Sequence, residues 1–478
     1  MKNLFLILNF YAFIFLSKCC VSPNLEEVSS KFNLQLGSKS LLENVDLSLD
    51  PCDNFYKFSC GTWIKAREKE SKYSRNFSYS NTDTHFQKFV DEALDGKYDD
   101  ESAAIKTVNN LKKKCIKLPF NKIQTCDRNI MNFGLYAISS LFMSKNRIDS
   151  DKHNDYAVIQ DIIRRIKEEL RLLINEKKDI FDDKSRDNLL RKLYETEFTT
   201  KFDEDDISNV LLMENCYKEI GISENDRIEK ILENIDSMSK MNYTDNYCGE
   251  KIFKVSVYLN GFVINGAGYH KEYNKFFIYP SALKEPLFNR HFPYSLNYGN
   301  IGFVIAHEIL HAFDSDSYKL IFGPNNKSTV ILTPESIENS EKKIKCFVKQ
   351  YGGQKESVTG LNVNGTLTLD ENIADNGGLK IAHRAYMKYL QSIGGEEPRV
   401  PGLEDFNSEQ LFFISFGRTF CEHNSKEILE EQIKIDSHTP AELRTIMALS
   451  NYKPFSNAFK CELNSKMNPE DKCELWKN

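Results

Sequence analysis

Histidine is scarce in this chain, nine residues in 478, and tryptophan scarcer still at two. No internal repeat and no low-complexity tract is visible, which excludes a solenoid or an array of small modules. Neither sign of charge dominates. With 63 basic and 69 acidic side chains the net charge is −6, and without a long basic block nothing points to nucleic acid or an anionic membrane as a partner. The apolar run Leu4 to Leu16 falls short of the ~20 residues that a membrane span needs. Lys2 before it and small residues near Ser17 and Cys19 after it read as a cleaved secretory signal, residues 1–19. The expected product is therefore secreted, with no stable membrane span.

The twelve cysteines show no metal-ligand spacing. Two lie in the signal region, which leaves Cys52, Cys60, Cys115, Cys126, Cys216, Cys248, Cys346, Cys421, Cys461 and Cys473, an even set that suits a disulfide framework outside the cell. Sequons at Asn76, Asn242, Asn326 and Asn364 fit a glycosylated secreted protein. With 41% hydrophobic residues the chain can build a sizeable core. Residues 102–239 read mostly as helix, for example Tyr156 to Lys177 and Asp187 to Glu195, with polar breaks at 202–206. Alternation from Phe253 to Tyr258 and from Lys275 to Tyr279 reads as two strands.

Against the scarcity of histidine stands the stretch from Phe303 to Asp314, apolar and free of Gly and Pro. It predicts a buried helix, on which His307 and His311, four apart, project side by side. Two imidazoles so placed can share one zinc ion, and Glu308 between them can take a proton from a water on the metal's vacant side. A catalytic zinc needs a third protein ligand. Glu371 supplies it from a second predicted helix, and Asp375, one turn on, can support a ligating histidine through its other ring nitrogen.

His-Glu-Ile-Leu-His followed by Glu371-Asn-Ile-Ala-Asp-Asn-Gly-Gly resembles the neprilysin family of zinc metallopeptidases. Asp50-Pro-Cys-Asp-Asn-Phe-Tyr56 with Cys60-Gly-Thr-Trp63 resembles the start of the family's extracellular domain, and Cys473-Glu-Leu-Trp476 its end. The resemblance implies a mainly α fold with a small β-sheet (α+β), a thermolysin-like zinc catalytic lobe and a reduced helical lobe. The expected division is a lead segment at 20–49, the helical lobe within 50–250 and the catalytic lobe at 251–478. It also implies disulfides Cys52–Cys461, Cys60–Cys421 and Cys346–Cys473. The other four cysteines keep three possible connectivities.

The same resemblance implies a function: hydrolysis of peptide bonds on the amino side of hydrophobic residues, with one zinc per chain, peptides as substrates and Glu308 as general base. Lys434 to Arg444 resembles the family's D-x-H-x-x-x-x-x-R, which implies an oxyanion role for His438 and a substrate-carbonyl role for Arg444. Ala267 lies where the family binds substrate backbone along an edge strand, but Gly266 replaces the family's Asn, and Asn265 is one residue early. Leu283, Phe288, Phe303, Val304 and Phe420 are expected to wall an apolar pocket. Two further departures are Asp370, where the family usually has Gly, and the shortened helical lobe, which predicts a more open roof and longer substrates. A secreted pseudo-peptidase that binds peptides without cutting them is the alternative.

Overall fold

The computed structural model describes residues 32–71, 77–200, 207–241, 243, 247–254, 266–322 and 328–476. Helices dominate. In chain order those that matter here are α1 (Phe55–Ser71), α2 (Ala103–Cys115), α3 (Phe120–His153), α4 (Asp155–Glu176), α5 (Asp183–Glu195), α6 (Val210–Ile220), α7 (Tyr247–Phe253), α8 (Phe303–Leu310), α9 (Leu369–Ser392), α10 (Ser408–Thr419) and α11 (Ala441–Asn451). Strands are short: β1 (Ser78–Ser80), β2 (Glu197–Thr199), β3 (Ala267–His270), β4 (Lys275–Ile278), β5 (Leu320–Phe322), β6 (Ser328–Val330) and β7 (Glu422–Asn424). They form three small sheets rather than one.

Two apolar cores organise these elements. The first gathers Phe55, Phe58 and Trp63 of α1, the inner faces of α4 and α5, and most of the chain beyond Phe276. On α4 the buried residues Ile159, Ile162, Ile163, Ile166, Leu170, Leu173 and Ile174 follow the helical period, so one stripe enters this core. The second core gathers Val108 and Leu111 of α2, the middle of α3, and Met213, Ile231 and Ile252.

Core membership runs across the expected division at residue 250: residues 41–63 and 159–193 pack in the first core with most of the chain beyond Phe276, and 89–143 with 213–252 form the second. Long-range packing decides this, and periodicity within a helix does not report it.

Strand β4 separates the two cores. Its side chains alternate, Phe276 and Ile278 toward the first, Phe277 and Tyr279 toward the second. It pairs in parallel with β2 and antiparallel with β3, which leaves β3 at the sheet edge. The second expected strand thus stands. The first does not begin where alternation suggested, since Phe253 closes helix α7, tied down by Cys216–Cys248 and by ring contacts with Phe133 and Tyr243. Residues 255–258 of that expectation lie outside the described residues.

Among the described residues five disulfides join the chain. Cys52–Cys461, Cys60–Cys421 and Cys346–Cys473 tie distant segments of the first core together, and Cys115–Cys126 and Cys216–Cys248 lie within the helical lobe. The expected signal segment and Asn76, Asn242 and Asn326 fall outside the described residues. Asn364 is exposed in a turn, its Oδ1 accepting from the Thr366 and Leu367 N–H groups. Among the described residues no helix is long and apolar enough to cross a membrane.

Candidate metal centre

Helices α8 and α9 pack unusually closely, and two glycines permit it. A Cβ on Gly377 would lie 2.3 Å from the Leu310 side chain, and one on Gly378 would lie 3.0 Å from the His307 backbone nitrogen. That approach sets Glu371, in the first turn of α9, against the two histidines of the α8 segment. His311 itself begins a 3-10 turn, His311–Phe313, that follows α8 directly.

One donor atom from each of His307, His311 and Glu371 lies within 4.8 Å of the others. The two Nε2 atoms are 3.1 Å apart, and Glu371 Oε2 is 3.2 Å from His307 Nε2. Each imidazole is held from behind: His307 Nδ1 lies 3.0 Å from Asp375 Oδ1, and His311 Nδ1 lies 3.2 Å from Asp314 Oδ2. Carboxylates at Nδ1 leave both Nε2 atoms facing a common point, the usual support of ligating histidines. Glu371 Oε2 is buried without a well-formed hydrogen bond, although two imidazole nitrogens lie near it. Two imidazoles, one carboxylate and an under-satisfied oxygen fit a zinc ion with an open position.

Charge around the centre is layered. Asp375 is fully buried and accepts two hydrogen bonds of 2.7 Å from the Arg444 guanidinium. Burial alone would raise its carboxyl, but Arg444 and His307 outweigh that and hold it below the usual range. Burial would likewise raise Glu371, yet His307 and His438 hold it well below its ordinary value. For His311, burial is outweighed by Asp314 and Glu371, and the imidazole rises to about 9. His438 also rises to about 9, because the carboxylates of Asp436 and Glu371 beside it overcome burial. Its Nε2 is 3.1 Å from Glu371 Oε2, and its Nδ1 is fixed 2.8 Å from Asp436 Oδ1.

These groups open onto a cleft of about 950 Å³, lined by the edge strand β3, by Phe303, Val304, His307, Glu308 and His311, and by Glu371, Phe420, His438 and Arg444. Ala267 lies on that edge. Leu283 and Phe288 do not: both are buried and border a separate hollow of about 120 Å³ beside His85, while Leu287 reaches the cleft instead. The chain turns through a 3-10 segment at Pro280–Ala282 immediately before Leu283.

Residues 266–475 match the model of peptidase family M13. Neprilysin of Homo sapiens is 34% identical over 344 residues, 71% of this chain and 44% of that protein. Residues 266–475 belong to peptidase family M13. The chain spans less than half the length of the neprilysin it matches. Among solved structures, a zinc metalloprotease of Mycobacterium tuberculosis in complex with an inhibitor shares the fold at TM-score 0.53 and 19% identity, covering 74% of this chain and 51% of its own. A chain of the Haemonchus galactose-containing glycoprotein complex does so at TM-score 0.60 and 16% identity, covering 93% and 99%.

Within this M13 segment the structure adds roles that motif reading left unassigned. Asp314, three residues after His311, supports that histidine, and the spacing of one helical turn was the available signal. Asp436 orients His438. Arg444, expected to meet substrate, borders the cleft but is engaged by Asp375 and stacks 4.9 Å over the Phe420 ring. Asp370 accepts hydrogen bonds from the backbone and hydroxyl of Ser315, next to Asp314, and so braces the turn that supports His311. Gly266 has φ +66°, where L side chains are strained, and a Cβ there would lie 2.7 Å from Ala282 Cβ. Its carbonyl accepts from Tyr279 N–H at 2.6 Å. An asparagine there would require Ala282 or the local backbone to shift.

Proposed function

We propose that this chain is a zinc endopeptidase that cuts peptides on the amino side of hydrophobic residues. The observation that carries the reading is the convergence of His307, His311 and Glu371 on one point, with Glu308 facing the same cleft. Zinc held by those three residues would acidify a water toward a pKa of ~7 and polarise the scissile carbonyl. Glu308 takes a proton from the attacking water and returns it to the leaving amine. His438, fixed by Asp436, donates a hydrogen bond to the oxygen on which negative charge grows. Asp375 keeps His307 in one orientation, and Arg444 locks Asp375. The substrate lies along β3, whose outer edge has no strand partner among the described residues, with an apolar side chain against Phe303, Val304 and Phe420.

The left-handed backbone at Gly266 removes a side-chain anchor, which favours substrates held by backbone and pocket alone. A mixed peptide library digested by the purified protein, with Glu308→Gln in parallel, tests the reading. Cuts before hydrophobic residues, slowed by about 10²–10⁴-fold in the variant, are expected. Bound zinc with no cutting by either protein would make the chain a peptide-binding pseudo-peptidase.

A further inference from the structure

Helices α2 and α3 meet at a tight turn, residues 116–119, stapled by Cys115–Cys126 with Cα atoms 5.6 Å apart. Backbone N–H groups of Lys117, Leu118 and Lys122 donate to the carbonyls of Lys114, Cys115 and Pro119 at 3.1, 3.0 and 2.8 Å, so the tip is ordered. It nonetheless displays apolar groups. Phe120 is 93% exposed and Ile116 67%, and no other large apolar side chain among the described residues is as open to solvent as Phe120.

Charge surrounds them. Residues 103–126 hold six lysines and no acidic residue, a local excess that the whole-chain charge of −6 conceals. Lys113, Lys117 and Lys122 are exposed beside Ile116 and Phe120. Lys114 turns away to the backbone carbonyls of Glu224 and Asp226. Those two carboxylates are themselves engaged, Glu224 by Asn110 Nδ2 at 2.7 Å and Asp226 by Lys230 at 3.3 Å.

We propose that this tip docks the protein peripherally on an anionic phospholipid surface. Phe120 and Ile116 enter the boundary between headgroups and acyl chains, while Lys113, Lys117 and Lys122 lie against the anionic headgroups. Neither signal suffices alone, but apolar insertion and lysine attraction add. The disulfide limits the ordering that binding requires. A sulfated glycan would engage the lysines yet leave the exposure of Phe120 without use, so lipid is the better match. None of these residues borders the zinc cleft, and the proposal stands whether or not the chain is catalytic.

Phe120→Trp supplies a reporter, because Trp63 and Trp476 are buried. Its emission should shift to the blue with phosphatidylserine-containing vesicles and stay unchanged with phosphatidylcholine alone. In co-sedimentation, the double variant Ile116→Ser/Phe120→Ser and the triple variant Lys113→Gln/Lys117→Gln/Lys122→Gln should each bind anionic vesicles at least tenfold more weakly, with peptide cleavage in solution unchanged. An unshifted emission, undiminished binding by the double variant, or retention on heparin without vesicle binding would each overturn the proposal.

Discussion

In the helical lobe around Phe133 and Ile231 the interior buries no charged side chain among the described residues, whereas the first core buries Asp375, Glu308 and His307 beside its cleft. Among the described residues every buried charged side chain lies outside 84–153 and 207–254. The disulfides differ in the same sense. Those of the lobe close 11 and 32 residues, and those of the catalytic core span 409, 361 and 127. Burying charge is costly unless each group is paired and hydrogen-bonded. One part of the molecule is thus stabilised by packing, and the other carries an interlocked polar centre held by long covalent ties.

Removing one partner from the centre should have the largest effect. Asp375→Asn leaves Arg444 buried without its carboxylate and should destabilise the fold by about 3–5 kcal/mol in denaturant unfolding. A loss below about 1 kcal/mol would mean that the polar centre is no more interlocked than a surface pair. His438→Ala should cost roughly 2.7–4 kcal/mol of transition-state stabilisation, read as kcat/KM, with zinc content unchanged. Loss of zinc in that variant would assign His438 to metal binding instead.

The disulfides sharpen the contrast further. On chain-entropy grounds, Cys52→Ala/Cys461→Ala should lower stability by about 1 kcal/mol more than Cys115→Ala/Cys126→Ala, because Cys60–Cys421, nested within it, already closes most of that long loop. Equal losses would place the difference between the two regions in packing alone.

The smallest effect is a pH dependence confined to the centre. His311 is raised from 6.5 to about 9, so without metal its contribution to stability is complete below pH 6.5 and fades as pH rises through about 9. Zinc must displace that proton from the folded protein, so apparent zinc affinity should rise with pH up to about 9 and level off above it. A competition titration at stepped pH reads this directly, and a flat profile would contradict it.

The parts of the centre legible in the sequence are those that repeat at one helical turn. His307 and His311 share a face because four residues separate them, and Glu371 and Asp375 do so for the same reason. Asp314, three residues after His311, obeys a similar spacing, but it acts across a 3-10 turn rather than along the α-helix. The left-handed backbone at Gly266 and the burial of Leu283 and Phe288 depend on Ala282 and on packing, so residue type alone suggested a substitution and a pocket wall. Charge counted over the whole chain hid the lysine-rich tip at 112–122, because a sum discards position.

The most direct measurement is the zinc content of the purified protein by native mass spectrometry, beside Glu308→Gln and Glu371→Ala. One zinc per chain in the wild type and in Glu308→Gln, with none retained by Glu371→Ala, is the expected result. A wild-type chain without zinc, or Glu371→Ala retaining a full equivalent, would contradict the assignment of His307, His311 and Glu371 as the metal centre.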